Sequence, residues 1–310
     1  MTILVAGGTG LAGSAISRAF RDKGSDVEIV NRSILDLRDS EATNNFLKAL
    51  KPKVVIDAAA RVGGIGANDS KPVRFLTENL LIQNNLMKAA FLAGVEKFVF
   101  LGSSCIYPKN CLQPIKEEYL MTGPLESTNS SYAVAKIAGI EMVNSYRKEY
   151  GVNWISLMPT NLYGPRDNFN LQESHVLPAL IRKFVEAVAS RESSVTLWGS
   201  GLPLRDFLHV DDLASAVVLA SEKYDGSMHL NVGSGQELSI SNLALLIADL
   251  TGYSGEIRWD TSRPDGTLRK VLDVTRISSL GWRPAITLSE GIGSTIDWFN
   301  TAVSNGEARL

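Results

Sequence analysis

The sequence of 310 residues contains only two cysteines and three histidines, and it has no excess of either charge. Cys105 and Cys111 are too few for the disulfide framework of a small secreted protein, and the scattered histidines form no metal-binding motif with them. A formal net charge of -2 argues against a general nucleic-acid binder or a membrane-surface protein, because both usually carry a basic excess. Any anion that binds must be held by a local cluster of Lys and Arg.

The chain also lacks a hydrophobic run of the roughly 18–20 residues that a membrane-spanning helix needs. Its first residues, MTILVAGGTG, are apolar but carry no basic segment and reach glycine within a few positions, which is not the pattern of a signal peptide. With 45% hydrophobic and 21% charged residues, the composition is that of an ordinary globular protein. We therefore expect a cytoplasmic protein with reduced cysteines.

Short β-branched runs alternate with longer amphipathic segments in the first half of the sequence. Strands are predicted at 2–8, 27–31, 53–59, 97–104 and 153–159, and helices at 11–24, 40–51, 72–93 and 131–151. Such an order implies parallel strands joined by right-handed crossovers. The prediction is an α/β fold with a doubly wound parallel sheet.

The stretch GGTGLAG places Gly7, Gly10 and Gly13 between the first strand and the first helix. Glycine permits a tight turn there and lets the backbone approach a pyrophosphate, which then rests on the helix N-terminus. A glycine turn without a ligand is the plain alternative, but its position in the first βα turn favours a dinucleotide site. The residues between the glycines are expected to share in it: Thr9, Leu11 and Ala12.

The end of the second strand indicates which dinucleotide binds. An NAD site usually has Asp or Glu there to hold the ribose 2′-hydroxyl, whereas this chain has Asn31 and Arg32. A guanidinium would bind a 2′-phosphate, so NADP(H) is favoured, although Arg32 as a merely solvated charge remains open. Asp36 and Leu37 are expected near the adenine.

After about residue 165 the alternation loosens, and long loops are expected at 163–175, 199–209 and 259–270. We expect residues 1–165 to form the NADP-binding Rossmann domain and 166–310 to form mainly a smaller α/β substrate-binding lobe. The segments 195–199 and 227–233 are candidates to return to the sheet.

Tyr132 and Lys136 are four residues apart at the start of a predicted helix and therefore share one face. Most such pairs are surface residues, but this one follows a strand that ends near Ser103. Reduction of a ketone needs a proton at the developing alkoxide, and a tyrosine supplies it best when a nearby cation lowers its pKa. We expect Lys136 to be that cation and Ser103 to bind the substrate oxygen.

Cys105 lies two residues after Ser103, so in an extended segment both side chains point the same way. A buried cysteine is more often a small core residue than a catalytic one. The residues alone leave both readings open.

Several segments together resemble one enzyme family: RVGGIGAN, FLGSSCIYPK, SYAVAKIAG, MPTNLYGPRDNF, SHVLPALIRKF, WGSGLPLRDFLHVDD and PDGTLRKVLDVTR. The glycine turn and the Ser-Tyr-Lys set resemble the extended short-chain dehydrogenase/reductase superfamily. Within it, the sequence resembles the GDP-L-fucose synthases over almost its whole length. Departures are Thr9, where the family often has a basic residue, and Lys183, where it often has arginine.

The resemblance implies that GDP-4-keto-6-deoxy-D-mannose is epimerised at C3 and C5 and then reduced at C4 by NADPH. The family's acid–base pair matches Cys105 and His175, with the thiol as base and the imidazole as acid; the reverse order stays open. His175 as a mere helix brace is the alternative, and His209 is the better candidate for a structural histidine.

The resemblance also implies further binding residues. For the nucleotide sugar these are Asn161, Lys183, Trp198, Arg205 and Asp265. For NADP(H) they include Ala59, Leu101, Gly102, Ser103, Lys136, Pro159, Asn161, Leu162 and His175. A homodimer through the helices at 72–93 and 131–150 is expected.

We weigh three alternative hypotheses: a plain nucleotide-sugar 4-ketoreductase, a 4-epimerase, and a non-catalytic NADP(H)-sensing protein. Cys105 and His175 argue against the first two, which need no acid–base pair for C3 and C5. The proton-donor set argues against the sensor.

Overall fold

The computed structural model describes residues 1–263 and 265–310. Pro264, which opens the segment PDGTLRKVLDVTR, lies outside the described residues. The described strands are, in chain order, β1 (Thr2–Ala6), β2 (Asp26–Val30), β3 (Val54–Asp57), β4 (Lys97–Leu101), β5 (Asn153–Pro159), β6 (Asn161–Tyr163), β7 (Ser194–Trp198), β8 (Leu204–Arg205), β9 (Phe207–His209), β10 (Leu230–Val232), β11 (Leu238–Ser239), β12 (Glu256–Asp260) and β13 (Arg269–Lys270).

The helices between them are, in the same order, α1 (Leu11–Asp22), α2 (Ser40–Leu50), α3 (Ile65–Ser70), α4 (Pro72–Leu92), α5 (Ser130–Tyr150), α6 (Val176–Ser190), α7 (Val210–Lys223), α8 (Ile240–Thr251), α9 (Thr275–Ser279) and α10 (Leu288–Ser304). The long predicted helices are confirmed. α5 ends where Gly151 adopts a left-handed conformation with φ 71°, which only glycine adopts without strain.

Six of the described strands form one sheet in the order β10-β5-β4-β3-β1-β2, and every neighbouring pair is parallel. The predicted doubly wound α/β fold is therefore confirmed. β2 lies on one side of β1 and β3 lies on the other, so the order in which strands are added reverses at β1. Such a switch point opens a crevice at the carboxyl ends of the strands, where ligands bind in folds of this kind.

The sheet is covered on both faces, which explains why its strands are apolar without alternation. Ile3 and Val5 of β1 pack into a core with α1 and α7, whereas Leu4 and Ala6 pack into a second core with α2, α4 and α5. A third core, which includes Leu177, Phe184, Leu243 and Phe299, joins α6, α8 and α10 in what we call the second lobe.

One of the two segments expected to return to the sheet does so. Residues 230–232 form β10, which is buried throughout and pairs with β5. The expectation for 195–199 is wrong, because β7 pairs with β12 in a separate two-stranded ribbon. Thr196 and Trp198 are exposed while their neighbours are buried, and a strand with one solvated face does not fit inside a sheet covered on both sides.

The predicted loops contain short strands: β8 and β9 lie within 199–209, and β13 lies within 259–270. In the described part of the chain, no helix is both long and apolar enough to cross a membrane.

Candidate active site

The glycine turn between β1 and α1 has the geometry of a phosphate-binding loop. Gly7 has φ 76°, and a Cβ on it would lie 2.7 Å from the carbonyl oxygen of Ala58. A Cβ on Gly13 would lie 2.2 Å from the carbonyl oxygen of Gly7, so glycine alone lets the first turn of α1 pack on the loop. The turn is closed by a hydrogen bond of 3.0 Å from the Gly10 amide to the Gly7 carbonyl.

The N-terminus of α1 is open to a ligand. Gly10 is the N-cap and offers no side chain to the first turn, which also lacks acidic residues. The free amides and the helix dipole favour an anion there. Thr9 is exposed, and Leu11 and Ala12 are half-buried, so the predicted turn residues border the space that a pyrophosphate would occupy.

The segment after β2 places two guanidiniums near one carboxylate. The Arg32 side chain is 65% exposed and lies 3.9 Å from Asp36. Arg38, which we did not predict, hydrogen-bonds to Asp36 and holds its pKa at about 2. Since Arg38 is already hydrogen-bonded to Asp36, Arg32 is the guanidinium of the two that is better able to bind a 2′-phosphate. Leu37 is buried in the core, and its contact with adenine stays a prediction.

Lys136 is buried on the face of α5 that covers β4. Its ammonium donates a hydrogen bond of 2.8 Å to the Leu101 carbonyl and lies 4.7 Å from the centre of the Phe100 ring. Burial lowers its pKa to about 8, although the nearby Asp57 carboxylate acts in the opposite direction. The Lys136 charge is therefore held where solvent does not screen it.

Tyr132 lies one turn before Lys136, with the ammonium 5.9 Å from the centre of its ring. Burial raises the pKa of the phenol and Cys105 adds to the rise, while the adjacent Ser103 hydroxyl offsets part of it. The expected lowering of the Tyr132 pKa by Lys136 is therefore not seen in this state, in which burial dominates. The phenol is consequently protonated at neutral pH, which is the form that a proton donor needs.

The predicted strand at 97–104 is too long, so the expected strand alternation between Ser103 and Cys105 is wrong. β4 ends at Leu101, and Ser104–Ile106 form a 3₁₀ turn capped by Ser103, whose hydroxyl accepts a hydrogen bond of 3.2 Å from the Cys105 amide. Ser103 and Cys105 are therefore brought together by a turn and not by strand alternation. The turn forms because a serine oxygen can satisfy the free amides that begin it.

Two donors point at the Cys105 sulfur: the Lys270 ammonium and the Asn129 side-chain amide, each 3.6 Å from it. Hydrogen-bond donors around a half-buried sulfur are the surroundings that a reactive thiol needs, and an inert core cysteine lacks them. Neither residue was among our predictions. Lys270 lies in the segment PDGTLRKVLDVTR, so the resemblance offered a signal for it, whereas Asn129 had none.

His175 is the N-cap residue of α6, but its ring makes no capping hydrogen bond. The alternative that this histidine braces the helix through its side chain is therefore not supported. His175 is exposed, yet the surrounding protein atoms and the Lys270 charge lower the pKa of its ring. His209, by contrast, is buried and accepts a hydrogen bond from the Asp211 amide at the start of α7, as expected of a structural histidine.

The four residues predicted for the diphosphate and hexose lie on the second lobe and its loops. The Lys183 ammonium donates 2.8 Å to the Thr196 carbonyl, and the half-buried Arg205 lies near both Cys105 and Asp265. Asp265 is exposed and accepts hydrogen bonds of 2.7 Å from the backbone amide and hydroxyl of Ser200.

Trp198 completes this group. Its side chain is 57% exposed, and the Arg263 guanidinium lies 5.0 Å from the centre of its ring. A largely exposed indole with one face toward a cation can exchange that cation for a flat ligand.

The remaining predicted cofactor residues follow the carboxyl ends of the central strands. They are Ala59 after β3, Leu101 and Gly102 at the end of β4, and Pro159, Asn161 and Leu162 at and after the end of β5. Asn161 donates a hydrogen bond of 2.8 Å to the Asp206 carbonyl, which fixes its amide near the crevice. The arrangement fits an extended dinucleotide that runs from α1 to Lys136. Outside position 264, no group of three or more His, Cys, Asp and Glu residues could hold a metal ion.

Comparison with known proteins places this arrangement in a family. The model of the NAD dependent epimerase/dehydratase family matches residues 3–233. A GDP-L-fucose synthase of Sinorhizobium fredii is 50% identical over 98% of this chain and 96% of its own length. The chain belongs to this epimerase/dehydratase family. The resemblance to the GDP-L-fucose synthases is likewise confirmed.

Solved structures agree with the sequence relatives. A GDP-L-fucose synthetase from Naegleria fowleri bound to NADP is 30% identical, with a TM-score of 0.90 over 100% of this chain and 96% of that chain. A GDP-6-OMe-4-keto-L-xylo-heptose reductase from C. jejuni is 35% identical, with a TM-score of 0.91 over 97% of each chain. The fold is therefore shared with proteins whose names describe reactions on GDP-sugars.

Proposed function

We propose that this protein is an NADPH-dependent enzyme that epimerises GDP-4-keto-6-deoxy-D-mannose at C3 and C5 and reduces it at C4 to GDP-L-fucose. The observation that carries the proposal is the thiol of Cys105 beside a complete reduction set. Cys105 lies two residues from Ser103, adds to the rise in the pKa of Tyr132, and contacts Lys270, whose charge also acts on His175. The relative that is half identical over nearly the whole chain supports the same reaction.

The epimerisation uses the acidity of the hydrogens beside the 4-ketone. The Cys105 sulfur removes the proton from the carbon, the electron pair moves into the carbonyl, and the Ser103 and Tyr132 hydroxyls stabilise the resulting enolate oxygen. His175 delivers a proton to the opposite face of that carbon, which inverts it. Lys270 supports the step because its ammonium stabilises negative charge on the sulfur at 3.6 Å.

Reduction follows at the same carbonyl. NADPH, when bound, supplies the hydride that goes to C4. The Tyr132 phenol donates its proton to the developing alkoxide, and the nearby Lys136 ammonium stabilises the phenolate left behind. Ser103 holds the substrate oxygen during both steps, so one carbonyl site serves both reactions.

The GDP end is held by the second lobe. Arg205 and Lys183 supply positive charge for the diphosphate, and the exposed Trp198 ring offers a flat face. Burial lowers the pKa of both cations because it disfavours their charged forms. A diphosphate bound beside them would compensate this cost with its negative charge. This explains how a chain of net charge -2 binds an anionic substrate.

Product analysis tests the proposal. Purified protein with GDP-4-keto-6-deoxy-D-mannose and NADPH is expected to yield GDP-L-fucose, identified by NMR. The Cys105→Ala variant should lose at least about 100-fold in epimerisation, because general acid–base catalysis typically contributes 10²–10⁴-fold. Cys111→Ala is the matched control, since Cys111 is also a half-buried free thiol.

A second candidate function is 4-ketoreduction without epimerisation. It is favoured by the likeness to the heptose reductase and by the completeness of the Ser103-Tyr132-Lys136 set. The same experiment separates the two. If wild type and Cys105→Ala oxidise NADPH equally and give an unepimerised sugar, the chain is a simple reductase.

We also propose a homodimer that forms through α4 and α5. Large apolar side chains on these helices are exposed in the single chain: Val73, Leu81, Leu92 and Val134. Leu81→Glu should convert the dimer to a monomer in light scattering coupled to gel filtration. Leu245→Glu on α8, where the leucine is 60% exposed, is the control that should stay dimeric. A cytoplasmic location stays a prediction.

A further inference from the structure

Asp57 is a buried carboxylate at the end of β3 that the reaction described above does not use. It is 1% exposed. One of its oxygens accepts a hydrogen bond of 3.2 Å from the Ala59 amide, and the other, Oδ2, has no hydrogen-bond partner among the described residues. A buried carboxylate is rarely left in this condition, because desolvation is costly unless another charge compensates it.

The sheet register brings Asp57 to Lys136. In the parallel pair of β3 with β4, Asp57 is opposite Phe100, so the two side chains point to the same face. That face is covered by α5: a Cβ on Gly139 would lie 2.2 Å from the Phe100 ring, and the Lys136 ammonium lies 4.7 Å from the centre of that ring. Asp57 and Lys136 are thus both buried on the face of the sheet that α5 covers.

The charges act on each other in both directions. Burial raises the pKa of Asp57 to about 6, and Lys136 opposes that rise. Burial lowers the pKa of Lys136 to about 8, and Asp57 is the group that opposes the fall. At neutral pH both groups are therefore charged, and each keeps the other so.

We propose that Asp57 is a positioning residue that keeps Lys136 charged at the pH of catalysis. This rests on the proposed function for its catalytic consequence, because the Lys136 ammonium stabilises the phenolate that Tyr132 leaves. The hydrogen bond that Asp57 accepts comes from the Ala59 amide, and we infer that its effect on the Tyr132 phenolate passes through Lys136.

Few other titratable groups face this pair. From α5 and the turn after β4 these are Tyr132 and Cys105, and Tyr132 is protonated at neutral pH. From α4, which packs on the same side of the sheet, the buried polar side chains are neutral amides, Asn79, Gln83 and Asn85.

The charged groups of α4 near its start are already paired. Glu78 forms ion pairs with Arg61, at 3.5 Å, and with Arg74, at 3.0 Å. Asp57 is consequently the carboxylate on which the charge of Lys136 depends.

The test is a titration of Lys136 in the protein without cofactor. The lysine Cε signals of ¹³C-labelled protein are followed by NMR against pH, and the Lys136 signal is identified by its loss in Lys136→Met. In Asp57→Asn the midpoint of Lys136 should fall by about one pH unit or more, as expected for loss of a neighbouring opposite charge. Asp167→Asn is the matched control, because Asp167 is also a buried carboxylate with a raised pKa but lies in the second lobe.

A kinetic readout accompanies the titration. The alkaline fall of kcat/KM for NADPH should move to lower pH in Asp57→Asn by the same amount as the Lys136 midpoint. At pH 7.5 a shift of about one unit leaves roughly a third of the charged lysine, and hence about threefold lower activity. The difference between the proteins should vanish below about pH 6, where wild-type Asp57 is itself protonated.

An unchanged Lys136 midpoint in folded Asp57→Asn would overturn the proposal, even if stability fell. If that variant does not fold, the wild-type Lys136 signal must show a second inflection near pH 6 as Asp57 titrates, and its absence would equally overturn it. A shifted midpoint in a protein that forms no GDP-L-fucose would contradict the proposed function and leave the coupling in place.

Discussion

The two halves of the active site are built in different ways. Tyr132 and Lys136, the pair proposed for reduction, lie on one long helix, are buried, and are fixed by the packing of α5 on β4. Cys105 and His175, the pair proposed for epimerisation, lie on a 3₁₀ turn and at a helix start, and both remain accessible. If the proposal holds, reduction relies on desolvated charge, whereas epimerisation relies on hydrogen bonds to a half-exposed sulfur.

The largest expected effect comes from Tyr132→Phe. Removal of the proton donor should lower the rate of reduction by about 10²–10⁴-fold. Exchange of the C3 and C5 hydrogens with D₂O, measured by NMR without NADPH, should fall less than reduction does, because the Ser103 hydroxyl still stabilises the enolate oxygen. Tyr146→Phe, on the same helix, is the control, and a parallel collapse of exchange would show that the two halves are not separable.

A smaller effect is expected from Lys270→Met. Loss of the ammonium at the Cys105 sulfur should slow C3 and C5 exchange by about 10-fold, because a hydrogen bond from a charged donor stabilises negative charge on the sulfur. Lys270→Arg keeps the charge and should recover much of the rate. An equal loss in both variants would mean that Lys270 shapes the turn and does not stabilise charge.

The smallest expected effect is that of Trp198→Ala. A stacking contact on an exposed ring is worth about 0.5–1 kcal/mol, so KM for the nucleotide sugar should rise about two- to fivefold with kcat unchanged. Steady-state kinetics measures both. A fall in kcat would show that the second lobe also positions the reacting carbons, which would weaken the division between the two halves.

Residues on regular helices could be placed from the sequence, whereas those on turns could not. Gly13, Tyr132 and Lys136 lie on helices, where the helical period places side chains reliably, and Gly7 directly follows the first strand. Cys105 was placed beside Ser103 for the wrong reason, because a strand was extended through what is a 3₁₀ turn.

Local sequence patterns do not predict contacts between segments that are far apart in the chain. Lys270 contacts Cys105 across 165 positions, and Asp57 and Lys136 come to the same face of the sheet through the pairing of β3 with β4 and the packing of α5. β7 was assigned to the wrong sheet because a short apolar run does not reveal which partner covers it. A long-range contact between two polar residues leaves no periodic trace in either segment.

The late strand β10 has a consequence for how the chain reaches its native state. It comes after α6 and α7 in sequence, yet it supplies the edge of the sheet beside β5. A fragment that stops at residue 165 would therefore expose the hydrogen-bonding edge of β5, a template for aggregation. During synthesis, that edge stays open until more than 60 further residues have followed β5, since the strand ends at Pro159 and β10 begins at Leu230. The nucleotide-binding half thus completes its own sheet only after much of the second lobe has been made.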